Sequence, residues 1–171
     1  GLDIALVRAV DIFQKINVKD TLDVAQNSYN IASILMSQAK WKKAEGYLNE
    51  AVRICGLLLN ESPRESKTLM VQSWSALARI TMQDNPEKAL ELFSSILQAI
   101  NNNNGSIDST IIPSLLTNWY QDMYFLAPAV DNTDKVIELW DNGLQATNKY
   151  HGENSQLAFK LLYNIAWILV D

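Results

Sequence analysis

The amino-acid sequence predicts an all-α repeat fold of about eight helices, and three observations carry that prediction. Apolar residues recur at three- and four-residue steps along almost the whole chain, the spacing of one helical face. Turn formers are scarce: 6 Gly and 4 Pro among 171 residues leave little material for a many-turned β protein. Residues 29–35, Tyr-Asn-Ile-Ala-Ser-Ile-Leu, and residues 163–169, Tyr-Asn-Ile-Ala-Trp-Ile-Leu, agree at six of seven positions. Such self-similarity marks a chain built from stacked copies of one unit.

In chain order, Ile4, Val7, Ala9, Ile12, Phe13 and Ile16 predict a first helix over residues 2–16. Asp20 or Thr21 caps a second, running to about Gln38. A third extends from about Trp41 to Leu59, closed by Asn60-Glu61-Ser62 before Pro63. The fourth covers about Arg64 to Met82 and stops at Asp84-Asn85. Pro86 opens the fifth, where its missing N–H costs nothing. Asn101 to Asn104 and Gly105 end it in a polar loop that reads as lying outside any core. The sixth starts near Pro113 and stops before Pro128, and the seventh runs from about Thr133 to Tyr150 with Asp131 or Asn132 as cap. Gly152 punctuates, and the eighth begins near Asn154 or Ser155.

Two helix types alternate. Trp74 to Ile80 is a weaker copy of 29–35, with Ala78 standing where Ala32 stands. In the other type, Lys42 to Leu48, Glu87 to Phe93 and Asp134 to Trp140 align at steps of 45 and 47 residues. These residues resemble the tetratricopeptide repeat (TPR) superfamily. Its first helix takes a small residue at the centre, matched by Ala32, Ala78 and Ala166. Its second takes a small residue followed four on by a bulky one, matched by Ala44/Leu48 and Ala89/Phe93, and more loosely by Val136/Trp140. Helices cross closely only where a side chain is small, and the bulky neighbour fills the gap beside the crossing. The long period, with Tyr150-His151-Gly152-Glu153-Asn154 leading to Asn164-Ile165-Ala166, is similar to the kinesin light chain type. Tyr124 departs from the pattern by taking the small-residue slot of the third pair.

The resemblance implies a right-handed α-solenoid of antiparallel helix pairs, read as one domain over residues 1–171. It comprises a half repeat at 2–16, pairs at 20–59, 64–101 and 111–150, and a half repeat at 154–171. Starting inside a helical pattern and ending on Ile168-Leu169-Val170, the chain reads as a fragment of a longer protein. Leu161, Ile165, Ile168 and Leu169 give the last helix no polar outer face, so a missing helix or self-association is expected there.

Composition narrows the chemistry. A net charge of −5 argues against binding a phosphate backbone, so no nucleic-acid partner is expected. The longest apolar runs fall far short of the roughly 20 residues that span a bilayer, so no direct membrane insertion is expected. The lone Cys55 excludes an internal disulfide and any CxxC site, and the lone His151 excludes a His-based metal cluster. Cys55, among Val52, Ile54 and Leu57, reads as a small buried hydrophobe. His151 reads as a surface turn residue, since nothing beside it supplies a nucleophile. Trp74, Trp119 and Trp140 read as packing, and Trp41 is expected to fold onto the core. The expectation is a non-enzyme without metal or cofactor, in an intracellular, cytoplasmic setting.

In TPR-like solenoids the first helices of successive pairs line a concave groove that takes a peptide. Carried over by register, that implies Gln26, Tyr29, Asn30 and Ser33 on one helix and Gln72, Ser75 and Arg79 on the next. Gln121, flanked by Asn118 and Phe125, follows, and then Lys160, Tyr163, Asn164 and Trp167. Amide hydrogen bonds and aromatic anchors suit a protein or peptide partner, with an acidic residue near Arg79 or Lys160. The expected role is an interaction scaffold or adaptor. The alternative is a structural subunit packed permanently in a larger complex or homo-oligomer.

Overall fold

The computed structural model describes residues 20–170, together with Ile4, Arg8 and Ile12. Apart from those three, which are helical and exposed, the helix expected over 2–16, Ala5 included, lies outside the described residues. Among the described residues there are seven α-helices and no strand: α1 Leu22–Ser37, α2 Trp41–Leu57, α3 Pro63–Thr81, α4 Pro86–Asn101, α5 Ile112–Leu126, α6 Thr133–His151 and α7 Gln156–Val170. A 3-10 turn, Ala127–Ala129, follows α5. The chain divides into two compact units, Gly1–Ile80 and Thr81–Asp171, with the boundary at the end of α3.

Local chemistry sets the helix starts. The Thr21 hydroxyl accepts from the Val24 N–H, and the Asn85 and Asn132 carboxamides accept from the N–H groups of Lys88 and Lys135. Each satisfies one donor that a helix N-terminus leaves unpaired. Ala39 turns the chain between α1 and α2 at φ 57°, a left-handed conformation more usual for glycine.

In the first unit α1 packs along α2. Its core joins Ala25 of α1, Ile54 and Cys55 of α2, and Leu69 and Met70 of α3. The expected small-residue positions hold: Ala32, Ala44 and Ala78 are fully buried, as is Leu48. Trp41 does not fold onto this core but stands 47% exposed. It is the first residue of α2, one turn ahead of the buried stripe Ala44, Leu48, Ala51, Ile54. Arg53 of α2 reaches Asp20, just ahead of the α1 cap, with both terminal nitrogens at 2.6 and 3.1 Å. The same guanidinium contacts Glu50 at 2.7 and 2.8 Å.

In the second unit α6 is the hub, packing on α4, α5 and α7. Ala89, Phe93, Val136 and Trp140 are buried as their slots require. Tyr124 takes no small-residue slot, since it stands more than half exposed on α5. The close approach of α5 and α6 is made instead by Gly143 under Trp119. A Cβ on Gly143 would lie 2.3 Å from the Trp119 ring. The Asn-rich loop is not outside the core, because it carries buried Ile107. The Asn103 carboxamide accepts from the Gly105 and Ile107 N–H groups and donates to the Tyr150 hydroxyl of α6. His151 closes α6 rather than sitting in a turn. Its Nε2 lies 3.1 Å from the Pro113 carbonyl, an acceptor only, so Nε2 carries the proton.

Candidate functional site

The second unit holds a groove of about 800 Å³ between the end of α5 with its 3-10 turn, the first half of α6, and the second half of α7. Tyr124 and Phe125 wall one side, and Tyr163, Asn164, Trp167 and Ile168 the other. Ala127, Pro128, Val130 and Thr133 close one end, with Val136 and Trp140 as floor. The four wall aromatics stand between 55% (Tyr124) and 69% (Phe125) exposed. No lining residue carries a charge.

The floor and walls are braced differently. Trp140 and Trp119, each 1% exposed, meet edge to face at 5.6 Å. Their indole N–H groups are buried with no hydrogen-bond partner among the described residues. Tyr120 sits 5.6 Å from Trp140 and 6.5 Å from Tyr124, carrying the aromatic contact from floor to wall. Its hydroxyl accepts from Asn164 Nδ2 at 3.4 Å, tying α5 to α7 at the groove edge. The result is a preformed slot with rigid amphipathic rings on both lips, a type of surface that gives much contact area at low entropic cost.

Of the residues expected to bind, Tyr163, Asn164 and Trp167 line this groove, as does Phe125. Lys160 is exposed beside it, its Nζ 5.8 Å from the centre of the Tyr120 ring, and does not line it. Gln121 is exposed on α5, outside the lining. Ala166 and Ile165 do not take the buried positions of α7, and Leu161 is not part of its open face. The buried residues are Ala158 and Leu161, with Ile165 half-buried and Ala166 exposed.

The remaining candidates belong to the first unit. On α1, Gln26, Asn30 and Ser33 are exposed and engage one another's helix. Gln26 Nε2 donates to Asn30 Oδ1, and the Ser33 hydroxyl donates to the Tyr29 carbonyl. Tyr29 is half-buried against the Ala25–Ile54–Cys55 core, which makes it a packing residue. On α3, Gln72 and Ser75 are half-buried and Arg79 is exposed. Cys55 is buried in that core, and burial pushes its thiol up to about 11, which disfavours the thiolate a nucleophile needs.

The residues that sequence reasoning missed are Tyr120, Tyr124 and the Ala127–Ala129 turn. Pro128 gave the available signal, since a proline fixes where α5 stops and so where a wall ends.

No family model matches the chain, and no curated protein matches it in sequence. Among solved structures, the chain is similar to BtubC (BKLC) from P. vanneervenii, with a TM-score of 0.55 and 17% identity over 98% of this chain. It spans 64% of that protein's length. The likeness is one of fold: this is an all-α, TPR-like helical-repeat solenoid.

Proposed function

We propose that the chain is a protein-interaction scaffold or adaptor, of the long-repeat kinesin-light-chain-like type, that works by binding and without catalysis. The observation that carries this reading is the uncharged groove of the second unit, with exposed aromatic side chains on both lips. Its volume of about 800 Å³ lies in the range of ligand sites, and its open trough suits an extended peptide. Trp167, Tyr163 and Phe125 are the anchors, and the Asn164 carboxamide is the group suited to the peptide backbone. An intracellular setting belongs to the same proposal, since the one cysteine is a buried free thiol.

Peptides selected from a random library against the purified chain test this. Trp167→Ala and Tyr163→Ala each lower affinity by about tenfold or more, the size of an aromatic hot-spot residue. Because no lining residue is charged, raising salt from about 0.05 to 0.5 M changes affinity less than about twofold, as expected where screening has nothing to act on. Selected peptides whose binding ignores both substitutions remove the groove from the reading. A structural-subunit role is the second reading, favoured by one observation: Phe159, Leu162 and Leu169 leave an apolar face of α7 open.

A further inference from the structure

The chemistry of the groove lining narrows the class of peptide it takes, a step that rests on the groove being the binding site. Three kinds of backbone can enter such a trough. An α-helix has its backbone groups bonded internally and brings only side chains. A β-strand offers alternating N–H and C=O groups and is held by an open sheet edge, and there is no strand among the described residues. A polyproline II segment leaves its carbonyls free and, at each proline, has no N–H to satisfy.

The lining is the complement of the third. Two of its side chains, Trp140 on the floor and Trp167 on a lip, can only donate a hydrogen bond, and none can only accept. The Trp140 N–H is buried with no partner among the described residues, so the floor is one acceptor short. Asn164 already donates Nδ2 to the Tyr120 hydroxyl, and its Oδ1 can take an N–H from an occasional non-proline residue. A charged peptide would shed its hydration here with no opposite charge in the lining to offset the loss. The exposed rings of Phe125 and Tyr124 on one lip, and of Tyr163 and Trp167 on the other, give flat faces for pyrrolidine rings to pack on. A polyproline II segment is also extended before it binds, so it loses little conformational entropy in the slot.

We propose that the groove selects an uncharged, proline-rich segment in the left-handed polyproline II conformation. Its pyrrolidine rings sit between the aromatic lips, and one of its carbonyls accepts from the Trp167 indole.

Two neutral synthetic peptides test this on the intact chain: acetylated, amidated L-decaproline and its D-proline mirror image. The mirror image has the same carbonyls and apolar surface in a helix of the opposite hand. Calorimetric titration shows the L-peptide binding at least about tenfold more tightly, which separates shape recognition from general adhesion. Trp167→Ala and Phe125→Ala, exposed substitutions on opposite lips, each weaken the L-peptide by about tenfold. Trp167→Phe keeps a ring but removes the donor, and weakens it by about fivefold, the size of one neutral hydrogen bond. Equal binding of the two mirror images overturns the proposal, as does an L-peptide that fails to bind at millimolar concentration or ignores both alanine substitutions. The wider groove reading fails separately. Peptides selected from the random library that need Trp167 and Tyr163 but lack proline overturn the polyproline assignment and leave the groove as the peptide site. Selected peptides that ignore both residues remove the groove itself, and the assignment with it.

Discussion

Gly143 and Gly46 are both glycines inside helices, and replacing each by alanine moves stability in opposite directions. Alanine gains about 0.5–1 kcal/mol over glycine in a helix interior by restricting the unfolded chain. At Gly46 nothing lies within 4 Å of the new Cβ, so Gly46→Ala stabilises by about that amount. At Gly143 the new methyl would overlap the Trp119 ring, which is itself locked edge-on against Trp140. Overpacking a filled core costs about 1–3 kcal/mol and outweighs the helix gain, so Gly143→Ala destabilises by roughly 2 kcal/mol. Urea titration of both variants, followed by circular dichroism, checks the pair of signs. The sequence showed a helix-breaking residue inside α6, and only the structure shows the ring it accommodates.

At the scale of elements, Arg53 joins the start of α1 to α2, and that tie depends on pH. Its guanidinium holds the Asp20 and Glu50 carboxyls below their ordinary values, chiefly through hydrogen bonds. A carboxyl depressed in the folded state stabilises the fold above its unfolded pKa and loses that contribution as pH falls through the folded value. Stability therefore drops on acidification below about pH 4.5, and Arg53→Met flattens that part of the profile: the variant is the less stable at pH 7 and converges on the wild type at low pH. The effect is small, because both pairs are solvent-exposed. Thermal melts of the two proteins between about pH 3 and 6 read it directly. The helices themselves were largely legible, because Thr21, Asn85-Pro86, Asn132 and Gly152 punctuate them with side chains whose capping chemistry is local. The Asn-rich loop was not, since nothing in its composition says that Asn103 folds back on its own backbone and pins Ile107 beneath it. The ends of α7 misled for a related reason. Its sequence copies α1, but burial of Ala32 requires α2, and no described helix plays that part for Ala166.

For the whole molecule, repetition made the fold readable and made the site hard to place. The small-residue and bulky positions recur from pair to pair, Tyr124 excepted, so the periodic argument finds packing residues well and distributes binding residues evenly along the chain. The groove is instead local to the second unit, built where Pro128 ends α5 early and Tyr120, Tyr124 and Phe125 crowd the gap. Stability is expected to be local too. In a helical-repeat protein it is close to a sum of unit and neighbour terms, so damage to one unit need not reach the far end. The first unit has its own core around Ala25, Ile54, Cys55, Leu69 and Met70, and the second is organised around Trp119, Trp140 and the hub helix α6. Gly143→Ala injures only the latter core. Hydrogen exchange followed by mass spectrometry then shows faster exchange across α4 to α7, by roughly an order of magnitude or more for a loss near 2 kcal/mol. Amides of α1 and α2 keep their wild-type rates. Equal acceleration in both units means that the chain opens as one cooperative body, and the two-core account of its stability is then wrong.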